Sequence, residues 1–334
     1  MGISMPKPFT RTLRVVALGG GTGLSTLLRG LKEYTSRITA IVTVTDDGGS
    51  SGRLRSEMGM LPPGDIRNCL VALADAEPLM KELFDYRFAG DGPLAGHSFG
   101  NLFIAAMCDI TGDFELAVKE SSRVLLVRGQ VLPATLVNCA LGAVLADGRV
   151  VKGETSVSGS GSRIESVFLI PESCPPLPEA LKAIAEADVI VLGPGSLYTS
   201  VIPNLLVEGL AEAIALSTAH KIYVCNVMTQ RGETDYYTAE DHLAAVLHHA
   251  GPRAADWIIV NNTSVSGEML EKYSREGAMP VVFGRRSLEA MGVRVVAAPV
   301  LSESDLVRHD PGKLAAEVVR IAMKEKLNGR GAHR

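Results

Sequence analysis

Six apolar runs punctuate the chain: "RVVALGG" (14–20), "ITAIVTVTDD" (38–47), "ADVIVLGPG" (187–195), "KIYVCNVMTQ" (221–230), "DWIIVNNT" (256–263) and "VRVVAAP" (293–299). Each is continuous rather than alternating, which predicts strands buried on both faces of a parallel sheet. Stretches with helical spacing, such as "LSTLLRGLKEY" and "LVEGLAEAIALS", lie between most of them. That alternation predicts a Rossmann-like α/β fold with a doubly wound, mostly parallel sheet. In the middle, "ALGAVLADGRVVKGETSV" sets two β-prone runs about an Asp147-Gly148 turn, a hairpin signal, so residues 120–172 are expected to form a β-rich insertion. One large domain is expected over 12–325. Asp310 should cap its last helix with Pro311 in the first turn, and 326–334 should be a frayed tail.

Composition narrows the class. The 334 residues are 46% hydrophobic and 21% charged with a formal net charge of −4, which gives no general attraction to nucleic acid. Five cysteines (Cys69, Cys108, Cys139, Cys174, Cys225) are scattered without a CxxC pair, so neither a disulfide framework nor a zinc site is expected. No run approaches the ~18 apolar residues of a membrane helix, and the amino-terminus has no signal-like hydrophobic region. A cytoplasmic protein without membrane insertion is expected, and a homodimer is a reasonable expectation for an α/β protein of this size.

The chemistry concentrates in "GGGTG", where Gly19, Gly20, Gly21, Thr22 and Gly23 join the first strand to a helix. Such a turn leaves backbone N–H groups at a helix N-terminus, where the helix dipole also favours an anion, so phosphate is the expected visitor. As a dinucleotide fingerprint the turn is incomplete, because Leu24 occupies the third glycine position. The acidic residue expected after the second strand is nevertheless present as Asp46, which keeps NAD open as an occupant. A P-loop is excluded by the missing Gly-Lys-Ser/Thr, and Ser25 replaces the closing glycine of the tubulin-type GTPase signature.

Further candidates cluster at the ends of other predicted strands and helices. Asp46, Asp47 and Gly48 follow the second strand, where carboxylates can bind a ribose or sugar hydroxyl or hold Mg²⁺ against phosphate oxygens; alternatively Asp47 bonds the next amides in an Asx turn. In "PPGDIRN", Asp65 is expected as an N-cap, with Arg67 and Asn68 in the first turn facing phosphate, base or sugar. In "GHSFGNL", His97, Ser98 and Asn101 open a markedly apolar helix, and Asn101 needs a polar partner there. Finally "GPGSLYTSVIPNLL" repeats the strand, glycine turn and helix arrangement with Gly193, Gly195, Ser196 and Tyr198. Two such turns predict a crevice at the carboxyl edge of the sheet. Asp46, Asp47 and His97 are the candidates for catalysis, and Asp46 with Asp47 for a metal.

In this order and spacing, "GGGTGLSTLLRGL", "VTVTDDGGSSGRLR", "PPGDIRN", "GHSFGNL" and "GPGSLYTSVIPNLL" closely resemble the YvcK family of bacterial gluconeogenesis factors, and "CNVMTQRGETDYYTAEDH" and "VRHD" fit as well. That family is in turn similar to CofD, a Rossmann-like enzyme that transfers a phospholactyl group to a deazaflavin. The resemblance implies a cytoplasmic protein that binds UDP-sugars such as UDP-N-acetylglucosamine and is needed for cell shape and wall synthesis during gluconeogenic growth. It also implies that Tyr273 and Arg308 help to hold the nucleotide sugar, and it admits cell-wall or regulatory protein partners. No cofactor is obligatory on this reading. A ligand-binding regulator and a Mg²⁺-assisted transferase of phosphorus-containing groups both remain open, with an NAD enzyme as a third class.

Overall fold

The computed structural model describes residues 12–303 and 306–331. Its strands are β1 (Val15–Gly19), β2 (Ile38–Val42), β3 (Gln130–Pro133), β4 (Ala140–Leu145), β5 (Val150–Lys152), β6 (Ile164–Ile170), β7 (Val189–Leu192), β8 (His220–Val224), β9 (Trp257–Asn261), β10 (Arg294–Ala298), β11 (Leu301–Glu303) and β12 (Val307–His309). Seven of them form one sheet in the order β10-β9-β8-β7-β1-β2-β3. Every neighbouring pair in it is parallel.

Burial on both faces explains why these strands read as unbroken apolar runs. All residues of β1, β2 and β7 are buried, and alternate residues of β1 enter different cores. Val16 and Leu18 face a core shared with β4, β6 and the helices Pro178–Glu186, Ile202–Leu205 and Ala239–Ala250. Val15 and Ala17 face the other, built with Gly21–Leu31, Gly64–Leu73 and Pro311–Gly331. From β1 the chain builds outward to β3, then returns to β7 on the opposite flank of β1 and builds on to β10. The direction of winding therefore reverses between β1 and β7, and the two glycine turns leave the sheet side by side at that point. In open α/β sheets this is where ligands bind.

The middle of the chain is organised more narrowly than its sequence suggests. Helix Phe114–Val124 runs past residue 120, and β3 joins the main sheet beside β2, so the antiparallel sheet β5-β4-β6 occupies only 140–170. Four residues with an exposed first position give β3 too little periodicity to be recognised. The Asp147-Gly148 turn does join β4 to β5, with Gly148 at φ +83°. Asp310 caps the last helix as expected, its Oδ1 accepting the Lys313 amide at 2.8 Å. That helix continues to Gly331 rather than fraying from 326, and 332–334 lie outside the described residues. Among the described residues no single helix is long and apolar enough to cross a membrane.

Candidate functional site

The glycines of the first turn serve three different ends. Gly21 adopts φ +60°, a conformation that costs a side chain strain, and the nearest atom to a Cβ there would be Ser200 Oγ at 3.8 Å. At Gly20 a Cβ would strike the Asp65 carboxylate and come within 2.9 Å of Thr43 Cγ2. At Gly23 it would lie 2.5 Å from the Pro194 carbonyl oxygen and 2.8 Å from Gly195 Cα, so this glycine lets the two turns touch. Gly19 is the last residue of β1 and has only ordinary contacts, the nearest at 3.5 Å. No side chain caps helix Gly21–Leu31 from Gly20, and first-turn amides have no intrahelical acceptor. Gly21 donates to Asp65 instead, which leaves the amides of Thr22 and Gly23 for whatever enters from above.

Above them is an open cleft of about 220 Å³. Gly20 to Gly23 form its floor, Gly195, Ser196 and Ser200 one wall, and Asn226 to Gln230 at the end of β8 another. Tyr273 and Arg308 close the far side. They are carried by helix Gly267–Arg275 and strand β12, which join through the Val307 amide donating to the Tyr273 hydroxyl at 3.0 Å. A small apolar cluster of Val227, Met228, Val265, Leu301 and Val307, with Met269 and Tyr273 against it, seats this wall on the body of the protein. Among the described residues no hydrogen bond or ion pair engages the Arg308 guanidinium, which is exposed at the cleft. Beside it His309 is buried, with Nε2 3.2 Å from the Cys225 carbonyl oxygen. A carbonyl only accepts, so Nε2 carries the proton and Nδ1 is an acceptor. Burial pulls the pKa of His309 down to about 4, so it is neutral.

The residues at the end of β8 and His309 were not singled out in the sequence. The signal was the polar tail of "KIYVCNVMTQ", which ends a buried strand at the same edge as the glycine turns. Asn226 Nδ2 donates to the Gly195 carbonyl at 2.9 Å and Gln230 Nε2 to Ser196 Oγ at 2.8 Å, tying that tail to the second turn.

The second glycine turn is not a second anion cradle. The helical turn beginning at Leu197 has its N-terminus occupied by the protein's own carboxylate, Glu233, which accepts from the Tyr198 amide (3.3 Å), Thr199 Oγ1 (3.0 Å) and Ser158 Oγ (3.0 Å). Tyr198 is buried away from the cleft, and its hydroxyl meets that of Tyr237 at 2.9 Å. Gly193 sits at φ +78°, where a Cβ would crowd the Val224 carbonyl at 3.3 Å; its role is to turn the chain.

Asp46 and Asp47 stand beside the cleft rather than in its lining. Asp46, not Asp47, makes the Asx turn, accepting the Gly48 amide at 2.9 Å. Asp47 instead accepts the amide (3.0 Å) and hydroxyl (2.7 Å) of Thr155 and so anchors the antiparallel sheet to the β2 loop. Asp65 is not the N-cap of its helix, a position held by Pro63; it lies in the first turn, beneath Gly20. Desolvation and then the nearby Asp46 charge raise its pKa to about 7. Glu154, absent from the sequence candidates, is raised to about 9 by burial and then by Asp46, Asp65, Glu233 and Asp47. Arg67 Nη2 donates to Asn68 Oδ1 at 2.6 Å, so these two engage each other, and Arg67 packs along Gly100.

His97, Ser50 and Asn101 form a buried chain in which Asn101 Nδ2 donates to Ser50 Oγ (3.1 Å). Ser50 Oγ is 2.9 Å from His97 Nδ1, and burial lowers the pKa of His97. Ser98 is the N-cap, accepting the Asn101 amide at 3.3 Å, while Asn101 Oδ1 is buried without a partner. Among the described residues no group of three or more His, Cys, Asp or Glu side chains is arranged to hold a metal ion.

The sequence profile of a family described as 2-phospho-L-lactate transferase CofD matches residues 15–301, from β1 to the start of β11. The chain belongs to the CofD family. Within it, a putative gluconeogenesis factor of Nostoc sp. is 58% identical over 311 residues, covering 92% of this chain and 68% of the relative. The gluconeogenesis factor of Bacillus subtilis is 52% identical, covering 92% of this chain and 98% of the relative. A crystal structure of a UPF0052-family protein from Bacillus halodurans superposes with a TM-score of 0.90 at 52% identity, covering 92% of this chain and 99% of that one.

In this CofD-family chain, then, Gly20, Gly21, Thr22, Gly23, Gly195, Ser196, Tyr273 and Arg308 line the cleft. Gly19, Asp46, Asp47, Gly48, Asp65, Arg67, Asn68, Asn101, Gly193 and Tyr198 do not. Because the contacts of Gly23 are with rigid backbone, Gly23→Ala is expected to destabilise the fold by about 2 kcal/mol while Gly19→Ala stays within about 0.5 kcal/mol, read from urea denaturation. Equal stability of the two variants would refute the contact between the turns.

Proposed function

We propose that the cleft binds a nucleotide sugar of the UDP-N-acetylglucosamine type and that the protein is a regulator, responding to wall-precursor supply, that sustains cell shape and wall synthesis during gluconeogenic growth. One observation carries the reading. The open first-turn amides of Thr22 and Gly23 face the same space as the guanidinium of Arg308, which no described residue engages. A helix N-terminus and an available guanidinium together suit a diphosphate. The polar wall from Asn226 to Gln230 can serve sugar or base, and the family relatives named gluconeogenesis factor support the physiological side of the reading.

The test is calorimetric titration with UDP-N-acetylglucosamine, GDP and NAD, each with and without Mg²⁺. UDP-N-acetylglucosamine is expected to bind most tightly, and Arg308→Ala to weaken it about tenfold or more, the loss of one charge-assisted contact. Absence of binding by any of the three, or affinity unchanged in Arg308→Ala, would overturn the reading.

A second reading, a transferase of phosphorus-containing groups, is supported by the Asp65 carboxylate, which accepts the Gly21 amide behind the floor of the cleft with the charges of Asp46 and Glu154 nearby. Mg²⁺ is commonly held by one or two carboxylates together with substrate phosphates, and Asp46 would suit that role. Product formed on long incubation, and lost in Asp46→Asn while nucleotide binding persists, would decide for the transferase.

A further inference from the structure

The groups that can meet an occupant of the cleft differ from one side to the other. The floor presents donors, the amides of Thr22 and Gly23, and Arg308 adds a guanidinium that can only donate. Next to Arg308 on β12, His309 also lines the cleft, and its own hydrogen bond fixes what it can present. Nε2–H is committed to the Cys225 carbonyl at 3.2 Å, the tautomer that leaves Nδ1 with a lone pair and no proton. Burial keeps the ring neutral, so Nδ1 does not become a donor at neutral pH.

No described residue donates to this nitrogen. Nor is it one of the polar atoms that are buried without a partner. His309 is only 8% exposed and lines the cleft, so the lone pair is open to an occupant there while most of the ring is enclosed.

Asn226 repeats the arrangement from the end of β8. Its Nδ2 donates to the Gly195 carbonyl at 2.9 Å and to Gln230 Oε1 at 3.4 Å, so Oδ1 is the atom left for an occupant. Cys225, whose carbonyl holds His309, precedes it in the chain. Two consecutive residues thus set two acceptors along one cleft.

A role confined to the fold accounts for only one nitrogen of His309. The Cys225 carbonyl needs a donor, which an amide or an indole would supply without a second, unused acceptor. A polar group that a ligand covers and leaves unpaired costs affinity, so such an acceptor selects for ligands that donate to it. An ionised phosphate against Nδ1 would set acceptor against acceptor; a hydroxyl or an N–H would complete it.

We propose that His309 Nδ1, together with Asn226 Oδ1, is the specificity element of the cleft and accepts an O–H or N–H from the uncharged part of the nucleotide sugar, while the diphosphate lies on the amides of the floor and Arg308. This rests on the nucleotide-sugar reading of the cleft and deepens it. Calorimetry with UDP and with UDP-N-acetylglucosamine is run on the parent and on His309→Gln, whose amide N–H can still reach the Cys225 carbonyl but which puts no acceptor at the Nδ1 position. The variant is expected to bind UDP-N-acetylglucosamine about fivefold or more weakly. An equal loss with UDP places the donor in the nucleoside, and a loss seen with UDP-N-acetylglucosamine alone places it in the sugar.

A second measurement reads the nitrogen itself in the parent protein. With ¹⁵N label in the seven histidines, the His309 Nδ1 resonance, assigned from His309→Gln, should be that of an unprotonated nitrogen and move upfield when UDP-N-acetylglucosamine is added, as an imine-type nitrogen does on accepting a hydrogen bond. Folded His309→Gln with the parent's affinity for both ligands, or an Nδ1 resonance that carries a proton in the free protein or does not move on binding, would overturn the proposal and leave the nucleotide-sugar reading standing. A parent protein that binds neither ligand would overturn both.

Discussion

Glu233→Ala is expected to destabilise the protein by about 3 kcal/mol or more, since each buried donor left without an acceptor costs about 1–3 kcal/mol. Three donors depend on this carboxylate: the Tyr198 amide and the hydroxyls of Thr199 and Ser158. Glu233 and Thr199 are only 6% and 3% exposed, so water does not readily replace it. Burial raises the pKa of the carboxyl, and the hydrogen bonds it accepts oppose that rise. Glu233→Gln keeps an acceptor oxygen in place and should cost about 1 kcal/mol. Urea denaturation at neutral pH separates the two variants. The same pair tests the assignment of the anion seat: with Glu233 only a cap, folded Glu233→Gln keeps its affinity for UDP-N-acetylglucosamine. An alanine variant as stable as the parent, or a glutamine variant that loses the nucleotide, would remove Glu233 from that role.

Glu233 also shows why one glycine turn was legible and the other was not. In the sequence "GGGTG" and "GPGS" look like equivalent cradles, because a strand, a glycine turn and a helix precede free amides in both. Their difference lies in residues far along the chain. The first turn has Asp65 under Gly21 and no side-chain cap over Thr22 and Gly23; the second has Glu233 delivered from the loop after β8. No local pattern announces a carboxylate that caps a helix from another element. Six strands of the main sheet were readable because burial on both faces leaves runs such as "VVALG" and "ITAIV" unbroken. The seventh, "QVLP", was not, since only its pairing with β2 distinguishes it from a loop.

Tyr273 and Arg308 mark the same boundary. Helix Gly267–Arg275 carries an apolar stripe with Met269 and Tyr273 but fully buries none of its residues, and β12 is three residues long, so neither pattern says which surface it covers. The hydrogen bond from Val307 to Tyr273 and the shared cluster with Val227 and Met228 fix that, and they are tertiary facts. The candidate site thus divides physically. Its floor was encoded locally by glycines, and its far wall depends on packing between elements remote in sequence.

Raising the pH should weaken the fold through Asp65 and Glu154, in the opposite sense to ordinary salt-bridged carboxylates. Their folded pKa values of about 7 and about 9 lie above the ordinary 3.8 and 4.5 of these side chains, so over this range the folded state binds more protons than the unfolded one. Stability then falls as pH rises, from near pH 4 until each group has ionised in the folded state, Asp65 through about 7 and Glu154 through about 9. A tenfold change in proton affinity is worth ~1.4 kcal/mol, and water entering around the ionised carboxyls relieves part of that cost. The loss for the pair between pH 5 and pH 9 is therefore on the order of 3 kcal/mol. Asp65→Asn/Glu154→Gln should abolish that decline and exceed the parent in stability at pH 9, while gaining much less at pH 5. The asparagine retains an oxygen for the Gly21 amide, so the floor of the cleft keeps its hydrogen bond. Urea denaturation of parent and double variant at the two pH values measures the difference. A gap that does not widen with pH would mean that the two carboxyls are solvated in the folded protein.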